Sequence, residues 1–265
     1  MKKIDYCVCC ESKNIETFPG HIAGFVIDRM TGNNKSKGNI DCKYIHCIDC
    51  DYIGCDVRFE LEEEKLYYKN YMKEEYINHR CQYEGEGMRS ILNYHSEDEY
   101  RKIRRRGASV AMDGVIDFSK IASVLDFGGD TGDMIPIELS HCKKYVTDVE
   151  VRKLNIEVIS IQSPEDCGPV DLVICGHVIE HVSDPNNLIN EIKKYLRSGG
   201  WIYLEAPLDY TPHGPGHGFH EHLNRFNLTS AENILLRHGF VNLTGAEINY
   251  QSAVDTAWVV MGQLK

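Results

Sequence analysis

No stretch of this 265-residue chain approaches the roughly 18 to 20 consecutive apolar residues that span a bilayer, so a membrane-crossing helix is not expected. The opening residues Met1-Lys2-Lys3-Ile4-Asp5-Tyr6 lack the apolar stretch of a secretory signal, and the expected location is cytoplasmic. Positive charge is in deficit: the formal net charge is −11. Nucleic-acid binding needs a basic surface that neutralises phosphates, so neither a nucleic acid nor a membrane is an expected partner. Internal repeats and low-complexity tracts are missing as well. What remains is the hydrophobic and charge content of an ordinary globular chain, long enough for one α/β domain with a small appendage, as monomer or homodimer. One segment runs against the acidic balance, Arg101-Lys102-Ile103-Arg104-Arg105-Arg106. It reads as a solvated helix face or linker, or as a docking site for a phosphorylated substrate.

Cysteine, by contrast, is plentiful. Of eleven cysteines, seven (Cys7, Cys9, Cys10, Cys42, Cys47, Cys50 and Cys55) fall in the first 55 residues. Reducing conditions disfavour disulfides, so spaced cysteines in such a chain lean toward metal binding. Cys7-x-x-Cys10 and Cys47-x-x-Cys50 form a paired-knuckle pattern that can present four thiolates tetrahedrally to one Zn²⁺. A closed four-thiolate site of this kind is structural, with no position open for chemistry. Cys9, Cys42, Cys55 and His46 keep the ligand set open, and the plain alternative is a group of reduced cysteines packed as small hydrophobes.

Three regions follow from composition and periodicity. Residues 1–60 form a Cys-rich zinc-binding module with a Gly/Asn/Lys/Ser loop at 31–38. Residues 61–115 are charged and Tyr-rich (Tyr67, Tyr68, Tyr71, Tyr76, Tyr83) and read as a helical linker or substrate cover. From residue 116 to 265, short apolar strands alternate with helical segments, the pattern of a parallel sheet covered by helices. Strands are expected at 123–127, 144–148, 156–160, 171–175 and 201–205, with two late ones at 241–248 and 257–261. Continuous apolar runs suit strands buried on both faces. Helices are expected at 187–196, stopped by Ser198-Gly199-Gly200, and at 229–238, closed by Gly239.

The most specific motif is Val124-Leu125-Asp126-Phe127-Gly128-Gly129-Asp130-Thr131-Gly132, read as strand, glycine turn and then helix. Glycine lets the backbone approach a ligand closely, and such a ligand sits beyond the carboxyl ends of the strands. The spacing differs from the dinucleotide fingerprint Gly-x-Gly-x-x-Gly. Asp126 and Asp130 suit a cationic amino-acid ligand better than a pyrophosphate, and Asp148 at the end of the next strand can accept both hydroxyls of a ribose. With Asp171-Leu172-Val173-Ile174-Cys175-Gly176-His177-Val178-Ile179-Glu180-His181-Val182, Leu196-Arg197-Ser198-Gly199-Gly200-Trp201 and Leu204-Glu205-Ala206-Pro207, the segment from 116 to 265 resembles the class I S-adenosylmethionine methyltransferases. The resemblance implies a Rossmann-like seven-stranded α/β sheet with helices on both faces and S-adenosyl-L-methionine as cofactor. It places Asp126, Gly128, Gly129, Asp130 and Gly132 around the methionine part, Asp148 at the ribose, the loop from Gln162 to residue 166 near the adenine, and His177 beside the cofactor. Asp130 departs from the pattern, which usually has glycine there.

A cysteine-knuckle segment leading into a Tyr-rich stretch (Cys47 to Gly54, then Tyr67-Tyr68-Lys69-Asn70-Tyr71) resembles bacterial sugar methyltransferases with an N-terminal zinc-binding segment. Those enzymes C-methylate nucleotide-linked deoxysugars and carry a further C-terminal domain, whereas this chain stops soon after its core, which favours O-methyl transfer. The expected reaction is methylation of a hydroxyl on a sugar or nucleotide-sugar destined for surface polysaccharide. The alternatives are C-methylation of a nucleotide-linked ketosugar, O-methylation of another small metabolite, and an S-adenosylmethionine-binding zinc-ribbon interaction module without catalysis. A sugar hydroxyl needs a base or a metal before it attacks. His177, Glu180 and His181 follow the fourth strand, with positions 177 and 181 one helical turn apart. The histidine-rich loop 213–222 follows the fifth strand. His181, His222 and His177 are the catalytic candidates. His177, Glu180, His181 and His222 are the candidate ligands of a second divalent ion, Mn²⁺, Mg²⁺ or Zn²⁺. Helix capping and core packing are the bland reading of the same histidines. His-Val-Ile-Glu-His also matches the inverted zinc-peptidase motif, which its position among the other signposts argues against.

Overall fold

The computed structural model describes residues 1–32, 38–95, 98–149, 157–208, 222–250 and 256–265. The chain opens with β1 (Lys2–Lys3), β2 (Ile15–Ile22), α1 (Gly24–Thr31), β3 (Ile40–Cys47), β4 (Ile53–Cys55) and β5 (Val57–Arg58). β2 and β3 pair antiparallel from Ile15↔Cys47 to Ile22↔Ile40, and β3 pairs with β4 at Tyr44↔Cys55. Four helices follow: α2 (Leu61–Tyr68), α3 (Glu74–Glu84), α4 (Gly87–His95) and α5 (Asp98–Met112). A reciprocal cap starts α2, in which the Glu60 backbone N–H donates to Glu63 at 2.9 Å while the Glu60 side chain accepts from the N–H of Glu63.

The tyrosines of this region divide by role. Tyr67 and Tyr76 are buried against Phe25 of α1, their ring centroids 6.1 and 5.4 Å away and edge-on. Such aromatic contacts add to burial energy and fix the angle between helices. Tyr68 and Tyr71 instead line a cavity described below.

Then come β6 (Ser123–Phe127), β7 (Lys143–Thr147), β8 (Val158–Ser160), β9 (Val170–Gly176), α6 (Pro185–Tyr195), β10 (Leu196–Pro207), β11 (Asn224–Arg225), α7 (Leu228–Arg237), β12 (Phe240–Asn249) and β13 (Thr256–Leu264). Seven of these strands form one sheet in the order β12-β13-β10-β9-β6-β7-β8. β8, β7, β6, β9 and β10 run parallel, and β13 runs antiparallel to both its neighbours. The chain reverses its direction of winding between β6 and β9, which opens a crevice at the carboxyl ends of those strands. Strand residues alternate between two buried faces. Leu125, Val173 and Cys175 pack with Leu188, Ile189 and Ile192 of α6 and with Ala231, Ile234 and Leu235 of α7. Val124, Leu172 and Ile174 pack with Ala108 and Met112 of α5. The expected Rossmann-like seven-stranded sheet, with helices against both faces, is thus present.

Two local expectations are corrected. The glycine turn after β6 leads into further turns and a short 3-10 segment at Ile137–Leu139, with no α-helix. Pro136 has no N–H to give and disfavours helical geometry at Ile135, so a helix started near Gly132 cannot propagate. Residues 177–181 form a turn, not a helix, with His177 at φ +58°. The helix starts later, where Asp184 accepts from the N–H of Asn187 at 3.0 Å and Pro185 takes the first helical position. It ends at Tyr195, and Ser198-Gly199-Gly200 lies inside β10, at a register shift between Leu196 and Trp201. Among the described residues no helix is long and apolar enough to cross a membrane.

A second sheet of four strands, β11-β4-β3-β2, takes its last member from far along the chain: Asn224 pairs with Gly54 and Arg225 with Ile53.

Candidate active site

β6 is buried along its centre and delivers Asp126 into the interior just before the chain turns. Gly128 lies at φ +71° and donates its N–H to the Thr147 carbonyl at 2.7 Å, tying the turn to β7. A Cβ there would lie 2.4 Å from Val178, and one at Gly129 would lie 2.0 Å from the Asp126 carboxyl carbon, so both positions require glycine. Asp130 takes φ +50°, the left-handed geometry that explains why glycine is usual at this place, and its N–H donates to Asp148 at 2.9 Å. The Asp126 Oδ2 is buried without a hydrogen-bond partner. Burial pushes its carboxyl up to about 7; Asp148 and Asp133 add to the rise, and the Met134 N–H and Arg104 oppose it only in part.

These residues border a cavity of about 450 Å³. Phe127, Gly128, Asp130, Thr147, Asp148, Val149 and Gln162 form one end. His177, Val178, His181, Val182 and Leu188 form a side, and Leu61, Glu64, Lys65, Tyr68 and Tyr71 close over it from α2 and the turn after it. Gln162 belongs to a short turn capped by Asp166, which accepts from the N–H groups of Gln162 and Ser163 at 2.9 Å each. Asp126, Gly129 and Gly132, named from the sequence with them, do not line the cavity.

The candidate histidines separate in space. His177 sets its Nε2 2.9 Å from Glu205, a fully buried carboxylate that also accepts from the Tyr203 hydroxyl and pairs with Arg104 at 3.2 Å. Burial and the nearby Arg104 pull the His177 imidazole down to about 4, more than Glu205 raises it. Glu205 falls to about 2: burial alone would raise it, but His177 and Arg104 outweigh that. At neutral pH His177 is therefore an uncharged ring held beside an ionised Glu205. His181 sets its Nε2 3.6 Å from Glu180 and its ring 4.8 Å from that of His222, at 77°. Glu180, His181 and His222 bring donor atoms within 4.8 Å of one another, and the His177 Nδ1 is 3.7 Å from Glu180. Residues 213–221 of the histidine-rich loop lie outside the described residues.

The basic segment 101–106 is neither a bare solvated face nor an open phosphate dock at every position. Arg104 turns inward to Glu205, and Arg101 pairs with Asp133 at 3.0 Å. Sequence reasoning also missed Asn224, buried beside the 177–183 turn, and had only the helical spacing of α5 from which an inward arginine could have been read.

At the N-terminal end, Cys7, Cys10, Cys47 and Cys50 gather their sulfurs within 4.8 Å of one another, with Cys7–Cys50 at 3.6 Å and Cys10–Cys47 at 3.4 Å. Zn–S bonds of about 2.3 Å in a tetrahedron set sulfurs about 3.8 Å apart, so the group fits zinc. The Cys10 N–H donates to the Cys7 sulfur at 3.5 Å. Each knuckle closes on a left-handed acidic residue, Glu11 and Asp51. The other cysteines left open by spacing go elsewhere: Cys9 donates to the Ser230 carbonyl, His46 contacts Asp51 at 2.8 Å, and Cys42 and Cys55 form a separate buried group with Asp56.

Comparison with known proteins agrees with this architecture. The model of a family described as Methyltransferase domain matches residues 79–244, more than half of the chain, and the chain belongs to that family. The ubiquinone biosynthesis O-methyltransferase of Nitrosomonas europaea is 30% identical over 66 residues, 25% of this chain and 27% of the relative. That of Albidiferax ferrireducens is 20% identical over 147 residues, 56% of this chain and 51% of the relative. The chain thus spans between about a quarter and half of these relatives' length. The 1,6-didemethyltoxoflavin-N1-methyltransferase of Burkholderia thailandensis, solved with its substrate and S-adenosylhomocysteine, shares the fold at TM-score 0.53 and 15% identity, covering 83% of this chain and 98% of that one.

Proposed function

We propose that this chain transfers a methyl group from S-adenosylmethionine to a hydroxyl of a small molecule, with His181 as general base. The observation that carries the proposal is the cavity built on Gly128, Asp130 and Asp148, with His181 in its wall and the buried Asp126, one oxygen unpartnered, in the strand that leads to Gly128. A cationic ligand gives a buried carboxyl with an unpartnered oxygen the counter-charge it lacks. Asp126 and Asp130 offer carboxylates for an ammonium group, Asp148 accepts from ribose hydroxyls, and Gln162 and Val149 bound the adenine end. S-adenosylmethionine supplies, when bound, a sulfonium methyl open to in-line displacement. Tyr68, Tyr71 and Leu61 keep bulk water from the acceptor and hold it by stacking and apolar contact. His181 takes the hydroxyl proton, and Glu180 stabilises the imidazolium that results. His177, neutral and held beside Glu205, serves as wall, not as base.

The sugar reading rests on the resemblance of the cysteine segment to sugar methyltransferases. The relatives named ubiquinone biosynthesis O-methyltransferases support a hydroxyl acceptor of any small-molecule class. Calorimetry with S-adenosylhomocysteine, followed by methyl transfer from labelled S-adenosylmethionine to panels of nucleotide-sugars and phenols, tests both. Lack of binding by the cofactor product overturns the proposal. A second reading is favoured by the convergence of Glu180, His181 and His222: these donors suit a divalent ion such as Mn²⁺ or Zn²⁺. Loss of transfer on mild chelation, restored by the metal, would select it over the base.

For the four-cysteine group we propose one structural zinc. Elemental analysis of the purified chain is expected to return about one tightly held zinc, and Cys47→Ser is expected to lose it with a stability loss of several kcal/mol. Full thermal stability of the metal-free variant would count against a structural role.

A further inference from the structure

Asn224 is fully buried and spends its backbone N–H and both side-chain polar atoms. Its Nδ2 donates to the carbonyls of Ile179 at 2.8 Å and Val182 at 2.7 Å, and its backbone N–H donates to that of Glu180 at 3.0 Å. Three carbonyls of one turn, the turn that carries His181, are thus held by a single residue. On the other side its Oδ1 accepts from Arg58 Nη1 at 2.8 Å and from the Tyr52 hydroxyl, and Arg58 Nη2 donates to that same hydroxyl at 2.8 Å. Tyr52 is buried in one cluster with Cys7, Cys9, Cys47 and Cys50, and its carbonyl accepts from the Cys47 N–H at 2.8 Å.

We infer that Asn224, braced by Arg58 and Tyr52, is a positioning residue that fixes the 177–183 turn, and with it His181, to the cysteine-bearing segment. The inference rests on the reading that this turn belongs to the active site. A turn has no repeating hydrogen bonds of its own, and its buried carbonyls need donors from elsewhere. Asparagine alone among small side chains offers a donor pair to the carbonyls and an acceptor to Arg58 at once. An aspartate keeps the pairing with Arg58, and so keeps the segments together, but turns acceptor oxygens toward the Ile179 and Val182 carbonyls.

The test is hydrogen–deuterium exchange by mass spectrometry on the full chain with its metal, comparing 177–183 with the β6 stretch 123–127. In Asn224→Asp, exchange across 177–183 is expected to rise about tenfold or more, the scale of losing a buried hydrogen bond, with 123–127 unchanged. Tyr52→Phe, which deletes one hydroxyl and is the safer variant for folding, is expected to give a smaller rise at the same place. A residue that only stabilised the fold would raise exchange in both stretches alike; that result, or an unchanged 177–183, overturns the inference. Calorimetry with S-adenosylhomocysteine on the wild-type sample reads the functional proposal separately: absence of binding there sinks the proposal, while a turn that loosens only on mutation still supports the positioning role.

Discussion

Wild-type affinity for S-adenosylhomocysteine is expected to fall about tenfold for each pH unit below about 7, and Asp126→Asn is expected to erase that slope. The Asp126 carboxyl titrates near 7 because it is buried with one oxygen unpartnered. Below that pH it holds a proton, which an ammonium ligand must displace; above it the site is already ionised and the affinity levels off. Asparagine cannot ionise, so the variant should bind weakly at every pH, by about one to two orders of magnitude at pH 8, the range of a lost charge-assisted hydrogen bond.

The same shift makes a stability statement. The folded pKa lies above the unfolded one, so native stability is full below the unfolded value near 3.8 and is lost as pH rises to about 7. About three pKa units correspond to about 4 kcal/mol. Asp126→Asn should therefore melt higher than wild type at pH 8, in the absence of ligand, and match it near pH 4. Binding independent of pH between about 5.5 and 8, together with equal melting points at both ends, would leave Asp126 no part in holding a cation.

The second large effect is expected at His181. His181→Ala should slow methyl transfer to an aliphatic hydroxyl by about 10² to 10⁴, the range of a lost general base, while binding of S-adenosylhomocysteine stays within about threefold of wild type. A phenolic acceptor, already acidic near pKa 10, should suffer less, so the size of the loss reports the acceptor class. His177→Ala is the contrasting variant. It removes the imidazole that packs 2.9 Å from the fully buried Glu205 and should cost stability as well as rate. Undiminished transfer by His181→Ala would move the deprotonation elsewhere. No transfer by wild type to any acceptor, with a protein partner retained, would favour the interaction-module reading.

Sequence disclosed the sheet because its signals are local. Val124-Leu125 and Leu172-Val173-Ile174 are unbroken apolar runs with few ways to fold except as strands covered on both faces. The glycine turn was legible for a similar reason, since Gly129 answers a steric demand set by Asp126 three residues before it, although the demand at Gly128 comes from distant Val178. Where local signals conflicted, the reading failed. Pro136 outweighed the expected helix after the turn, and Asp184-Pro185 moved the start of α6 past the His177–His181 pair, which left the two histidines on a turn, both near Glu180 but only His177 beside Glu205. The long-range contacts could not be read at all. Arg104 meets Glu205 from 101 residues away, Arg58 meets Asn224 from 166, and Tyr52 meets it from 172. Only its four-residue spacing from Tyr100 and Ala108 on the buried face of α5 marks Arg104 among the arginines of its segment, and its partner shows only once the sheet is folded beside it.

β11 carries a consequence for how the molecule comes apart. Because the four-stranded sheet borrows Asn224 and Arg225 from between β10 and α7, the cysteine-bearing segment is not a detachable head. A chain shortened to begin at Leu61 would bare the β11 edge and the buried Asn224, and should aggregate. In the intact chain both sheets should melt in one transition, seen at the same temperature by the near-ultraviolet signal of Trp258 and by release of the zinc proposed for the cysteines. Metal loss at a lower temperature than the Trp258 signal would show that the shared strand does not couple them. If it does, evolution cannot trade this appendage between cores like a cassette: the strand that completes it is inherited with the catalytic half.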